Sequence, residues 1–324
     1  MLQKVKKKSA SKNGTGYKGK VVELYDAMLK PGVVAGVHHA NPLIQNYLDN
    51  ADYGIRILDF PCGSGHNTNA ILNIKKYFQV AVGDAEPAML QGALSNVRKF
   101  FGRGRVSESH CSTLDELTKK KEWKNKFNLI LLSNVASELF GNMDEADYEK
   151  HFIDSLIGAK HALKPDGTIL IDSRDWEKTH KADWRVTTRE NIHSGIKHFA
   201  KYIWTRGKNV DSEHKVTTVF SKIKDGVTHE ATNNIRFAGR KIEDLVDLFN
   251  KAGLEVVEQL HEVRGNNNEP FVTFALKRKK LAIELGENKP ITTVGNLAFK
   301  LAAPIPVFNH EVEKSLNIPN LKAA

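Results

Sequence analysis

The stretch Arg56-Ile57-Leu58-Asp59-Phe60-Pro61-Cys62-Gly63-Ser64-Gly65 decides how this chain reads. Arg56 to Phe60 is a short apolar run with one acid near its end, the pattern of a buried parallel strand. Cys62-Gly63-Ser64-Gly65 makes a tight glycine turn, and His66 to Lys75 then carries apolar residues at helical spacing (Ala70, Ile71, Leu72, Ile74). Strand, glycine turn and helix form the opening unit of a doubly wound α/β fold, whose ligand sits at the carboxyl end of that strand. Glycine is needed there because a side chain would hold the ligand off the backbone.

The turn narrows the choice of ligand. A dinucleotide turn prefers G-x-G-x-x-G, and the third position here is Thr68. No Gly-Lys-Ser/Thr ending of a phosphate-binding loop is present. Val80-Ala81-Val82-Gly83-Asp84 reads as a second strand ending in an acid, 19 residues after Gly65, where such folds place a carboxylate for ribose hydroxyls.

The run Asp59-x-x-Cys62-Gly63-x-Gly65 resembles the first motif of class I S-adenosylmethionine-dependent methyltransferases. That resemblance implies a Rossmann-like seven-stranded sheet with S-adenosyl-L-methionine as cofactor. It places Asp59, Pro61, Gly63, Ser64 and Gly65 around the cofactor at the turn, with Asp84, Ala85 and Met89 after the second strand. His110 and Cys111 fall where adenine is contacted, and Ser133 closes the fourth strand. A glycine turn without any cofactor is the plainer alternative.

Composition sets outer bounds. The 324 residues are 40% hydrophobic and 27% charged, ordinary for a globular protein. No apolar run approaches a membrane span. The lysine-rich start lacks the apolar core of a secretory signal, so a cytoplasmic location is expected. Cys62 and Cys111 read as free thiols of a reducing compartment. The formal net charge is +10, of which residues 1–20 hold seven lysines and no acid. A short basic arm on a near-neutral body does not suggest nucleic acid as the partner, and the arm is expected to be disordered. A homo-oligomer is compatible with the sequence.

From Arg56 to about Lys277 strands and helices alternate. Strands are expected near 56–60, 79–84, 104–108, 127–133 and 168–172, with a turn at Lys164-Pro165-Asp166-Gly167. Helices are expected over Val21–Leu29, Pro42–Asn50, a stretch from Pro87 bearing Met89, Leu90, Ala93 and Val97, roughly 145–163, and 241–252. Residues 174–240 break the alternation with β-rich runs and an Asp225-Gly226 hairpin turn, read as an inserted antiparallel substrate layer. Strands over 254–261 and 270–277 then close the domain. The organisation is thus a basic arm (1–20), a catalytic domain (21–278) and a C-terminal extension (279–324).

The order of features over about 17–278 resembles the glycine/sarcosine N-methyltransferase family. Ile171-Asp-Ser-Arg-Asp-Trp-Glu177 is similar to that family's Ile-Asp-His-Arg-Asn-Tyr-Asp. The resemblance implies that Arg174 holds the carboxylate of an amino-acid acceptor (glycine, sarcosine or dimethylglycine), that Asn134 lies near it, and that Tyr17 and Tyr25 match the family's N-terminal aromatics. A planar guanidinium is the best clamp for a carboxylate. A surface salt bridge from Arg174 to Asp172 or Asp175 is the simpler alternative. An RNA or protein methyltransferase and a silent regulatory subunit are the rival functions. The adjacent His38 and His39 lack ligand spacing, so no metal is expected. Trp176, Trp184 and Trp204 suit a pocket or a core equally.

Overall fold

The computed structural model describes residues 19–28, 42–74, 78–102, 104–133, 136, 145–181, 186–193, 196–264 and 269–279. The lysine arm before Gly19, Tyr17, the His38-His39 pair, Asn134, Trp184, the Asn266–Asn268 hairpin tip and residues 280–324 lie outside them.

Two helices, α1 (Lys20–Met28) and α2 (Pro42–Asp49), precede β1 (Arg56–Asp59). The chain continues through α3 (His66–Ile74), β2 (Gln79–Asp84), α4 (Pro87–Phe101), β3 (Val106–Cys111), two short 3-10 turns, β4 (Phe127–Leu132), α5 (Glu145–Ala162) and β5 (Leu163–Arg174). After α6 (Trp176–Lys181) come β6 (Val186–His193), β7 (Ile196–Thr205), β8 (Glu213–Lys224) and β9 (Val227–Ala238), then α7 (Ile242–Lys251), β10 (Leu254–Arg264) and β11 (Glu269–Arg278).

One sheet has seven strands in the order β10-β11-β5-β4-β1-β2-β3. Its pairs from β5 through β4 and β1 to β3 are parallel, and β11 joins β5 antiparallel. This is a Rossmann-like mixed sheet. The order reverses between β4 and β1, which opens the crevice at their carboxyl ends. Buried apolar residues cover both faces: Leu58, Ile130, Phe152 and Phe274 on one, Ile57, Val80, Leu131 and Val97 on the other. Strands covered on both faces need continuous apolar runs, and β4 is buried at all but one position.

Helix α4 shows why these residues choose a helix. Pro87 opens it, where a missing N–H leaves nothing unpaired. Met89, Leu90, Ala93 and Val97 form its buried stripe, and Gly102, at φ 83°, ends it.

Residues β6 to β9 form a separate four-stranded antiparallel sheet in chain order. Its β8–β9 hairpin turns at Asp225 (φ 51°) and Gly226 (φ 77°), positive values at both central residues, as a tight primed turn requires.

Two expectations shift. The third strand is Val106–Cys111 rather than 104–108, and its alternating exposure marks it as the sheet edge. The expected turn at Lys164–Gly167 lies inside β5: Phe127 pairs with Leu163 and Leu129 with Thr168, so the four residues bulge out between two paired stretches.

Candidate functional site

The glycine turn is fastened to both neighbouring strands. The Phe60 N–H donates to the Leu131 carbonyl (3.0 Å) and the Cys62 N–H to the Gly83 carbonyl (2.8 Å). Gly65 has φ +85°, and a Cβ there would lie 2.8 Å from the Ala93 Cα, so α4 packs directly on the turn. Gly63, at φ +51°, faces open space within 4 Å of where its Cβ would be. The turn is closed on the α4 side and open on the other, as a backbone cradle must be. Pro61 is half-buried and Ser64 buried in the same turn.

Two carboxylates stand beside it. Asp84 ends β2; its Oδ2 accepts from the Gly63 N–H (2.9 Å) and its Oδ1 from the Glu86 N–H (2.8 Å). Burial pushes its carboxyl up to about 6 against the pull of those two N–H groups. Asp59 is fully buried, and its Oδ2 accepts from the Thr68 hydroxyl (2.5 Å) while Oδ1 has no hydrogen-bond partner. Burial, with Asp84 adding repulsion, pushes its carboxyl up to about 7. Thr68, which spoiled the dinucleotide pattern, is thus the partner of the strand-end acid.

The end of β3 carries the next pair. In register, Cys111 sits beside Asp84 and His110 beside Gly83. His110 packs edge-on against Trp123, and its Nδ1 is 3.0 Å from the Lys120 ammonium. Burial first and Lys120 second hold this imidazole below its usual range, so it is neutral near pH 7. Trp123 is itself fixed by Nε1 donating to Glu108 (2.7 Å). Ala85 is exposed after β2, Met89 is buried on α4, and Ser133 is buried at the end of β4. Asn134 follows Ser133 outside the described residues.

Helix α1 joins the second sheet to the glycine turn. Val21, Leu24 and Met28 of α1 are buried against Ala200 and Phe220, and Tyr25 meets Phe220 edge-on at 5.8 Å. Asp26 points the other way. Asn96 of α4 donates through Nδ2 to Asp26 Oδ1 and to the Ser64 carbonyl, both at 2.9 Å, and His66 Nε2 stands 3.5 Å from the same carboxylate. Burial raises the Asp26 carboxyl, but His66 and Asn96 outweigh it and hold it low. Each buried apolar side chain of α1 contributes roughly 1.5–3 kcal/mol, and a hydrogen bond about 1 kcal/mol. Apolar burial therefore holds α1 down, and Asp26 sets where it sits relative to the turn.

At the end of β5, Arg174 is neither solvent-exposed nor paired with its sequence neighbours. Its Nη1 is 2.6 Å from Glu269 Oε2 at the start of β11, and the two side chains are 17% and 8% exposed. The guanidinium lies 4.9 Å from the Trp204 ring centre, 5.8 Å from Phe237 and 4.9 Å from Phe271. Asp172 pairs instead with Arg264 (2.6 Å), and Asp175 with Lys178 (2.8 Å). Trp176 is core, stacked on His214 at 4.5 Å. Sequence reading missed Glu269, Phe271 and Phe237 around Arg174, and Asp26 and Asn96 at the turn. Glu269 lies 95 residues from Arg174 and belongs to no motif, so only strand register joins them.

No protein-family model matches the chain, and no curated protein matches it. Solved structures do. The chain is similar to an S-adenosylmethionine-dependent methyltransferase from Clostridium acetobutylicum, with TM-score 0.58 and 15% identity over 81% of this chain and 98% of that one. It is similar to the sugar N-methyltransferase KedS8 from Streptoalloteichus, with TM-score 0.56 and 14% identity over 86% and 100%. A third, CalS10, is an amino pentose methyltransferase from Micromonospora echinaspora (TM-score 0.53, 14% identity, 80% and 97%). The fold is that of S-adenosylmethionine-dependent methyltransferases. At such identities the likeness carries the fold alone. None of these three is named for glycine or sarcosine, so the narrower family resemblance gains no support from them.

Proposed function

We propose that this chain is an S-adenosylmethionine-dependent N-methyltransferase acting on a small amine. The observation that carries the reading is Asp84, a strand-end carboxylate braced by the Gly63 and Glu86 N–H groups beside an open glycine turn. Each of its oxygens spends one lone pair on the backbone and keeps another for a ribose hydroxyl. The unpartnered Asp59 Oδ1 suits a ligand that brings positive charge to the turn.

When bound, the cofactor supplies a methyl on a sulfonium with a good leaving group. The chain's own residues then have to position and desolvate the acceptor. On this reading α1, packed on sheet two and tied to the glycine turn through Asp26 and Asn96, helps to exclude water. The acceptor amine must be neutral to attack, and a desolvated site favours the uncharged amine.

An amino-acid acceptor such as glycine, sarcosine or dimethylglycine rests on Arg174 as a carboxylate clamp. Glu269 already takes up that guanidinium at 2.6 Å. The pairing counts in favour of an amine whose body is neutral, as do the sugar and amino pentose methyltransferases among the similar folds. Arg174 with Glu269, Tyr25 and Asn134 is assigned to the acceptor side, and Asp59, Asp84, His110, Cys111, Met89 and Ser133 to the cofactor side.

Calorimetric titration with S-adenosylhomocysteine, followed by labelled methyl transfer to a panel of amines, tests the reading. Binding and transfer are expected. Binding without transfer to any amine would replace it with the silent regulatory subunit.

A further inference from the structure

The inner face of sheet two holds a buried amide with nothing to bond. Asn233 of β9 is 1% exposed, and neither its Nδ2 nor its Oδ1 has a hydrogen-bond partner. Buried amides are nearly always satisfied, because leaving one dry is costly. In register Asn233 pairs with Thr218 of β8, which pairs with Tyr202 of β7. The three form one row across the sheet.

The position of that row is set by what flanks it. On one side, Ala200, Phe220 and Ala231 pack under α1, which Asp26 and Asn96 tie to the glycine turn. On the other, Val216, Ile235, Trp204 and Phe237 pack around Trp176, just past β5. Tyr202 belongs to both clusters. The row therefore runs between the end of β5 and the turn after β1, and the strand between those two in the sheet is β4. That is the crevice edge where an acceptor has to lie.

Resting on the methyltransferase reading above, we propose that Asn233, Thr218 and Tyr202 recognise the acceptor and select an amine flanked by hydroxyl groups, of the amino-sugar class. The row offers donors and acceptors but no charge: an amide, a hydroxyl and a phenol. The charges at its edge, Arg174 and Glu269, are spent on each other. A carboxylate set against a neutral, desolvated row loses its hydration without an opposite charge in return. Hydroxyls both donate and accept, and they satisfy the amide in both senses. A site built to bond hydroxyls also rejects the analogue that lacks them.

The test compares wild type and Asn233→Leu by kcat/KM on glucosamine, a nucleotide-linked amino sugar, cyclohexylamine, glycine and sarcosine, with S-adenosylhomocysteine affinity and Tm measured alongside. In wild type an amino sugar should exceed cyclohexylamine and the amino acids by at least about 100-fold, the range of a missing buried hydrogen-bond partner. Asn233→Leu should lower that preference about 10- to 100-fold, leave homocysteine-nucleoside affinity unchanged, and keep or raise the Tm, since the amide has no protein partner to lose. A clear fall in Tm would make Asn233 a structural residue and overturn the proposal. So would a wild type that prefers glycine or sarcosine, a variant that keeps the preference, or a wild type that binds S-adenosylhomocysteine yet turns over none of the panel. Failure to bind S-adenosylhomocysteine at all would remove the methyltransferase reading itself, and the proposal with it.

Discussion

Replacing Asp84 with Asn keeps the shape of the side chain and removes its charge. The Gly63 and Glu86 N–H groups, at 2.9 and 2.8 Å, each need an acceptor, but an amide has only one oxygen. One N–H then faces an NH2 group, and a ribose hydroxyl loses a charged acceptor. Losing charge-assisted bonds of this kind costs about 1.5–3 kcal/mol, or roughly 10- to 150-fold in S-adenosylhomocysteine affinity. The wild type should also carry a pH signature. Its carboxyl titrates at about 6 in the free protein, so it is mostly ionised at pH 7 and mostly protonated at pH 5. Only the ionised form accepts from both hydroxyls, so affinity should fall about tenfold between pH 7 and pH 5. Asp59, at about 7, is coupled to it, and the two carboxyls titrate as a pair. Asp84→Asn should remove the step near pH 6. Stability has the opposite sign. A carboxyl raised on folding stabilises the native state below its unfolded value of 3.8 and loses that contribution as pH rises through about 6. The Tm difference between variant and wild type should therefore move towards the variant from pH 4 to pH 7. Calorimetric titration across pH 5–8, with thermal melts on the same samples, reads both. A wild-type affinity flat from pH 7 to pH 5, or a variant that keeps the step, refutes the role given to Asp84.

Two further variants probe the frame around the site. Gly65→Ala puts a methyl 2.8 Å from the Ala93 Cα at φ +85°, and should lower stability by roughly 2–4 kcal/mol by denaturant melt while weakening cofactor binding. Glu269→Ala leaves the Arg174 guanidinium, 17% exposed, without its carboxylate, and should cost about 3–5 kcal/mol; a loss under 1 kcal/mol would show the pair to be dispensable.

How far the sequence reaches depends on the range of the interaction. The opening strand, turn and helix are local, so Asp59, Gly63, Gly65 and Asp84 are legible from spacing and meet where spacing puts them. Helix α4 is legible for the same reason: one apolar stripe, one proline, one glycine. The bulge in β5 is not, because Lys-Pro-Asp-Gly reads as a turn until Leu163 is seen to pair with Phe127. Arg174 is legible as a charged residue at a strand end, yet its partner is not, since Glu269 reaches it only through antiparallel pairing of β11 with β5. Asn233 is the least legible. The exposure pattern along β9 is mostly open, and its burial comes from what packs against one face of the sheet.

The Asp26–Asn96–Ser64 connection makes α1 a shared mechanical part. Its apolar side packs on the second sheet, and its carboxylate reaches, through one amide, the Ser64 carbonyl of the glycine turn. Any free energy that an acceptor transmits by shifting α1 is felt at Ser64, and thermodynamic reciprocity makes the effect equal in both directions. On the proposed function, whatever factor the cofactor adds to acceptor affinity, the acceptor returns to the cofactor.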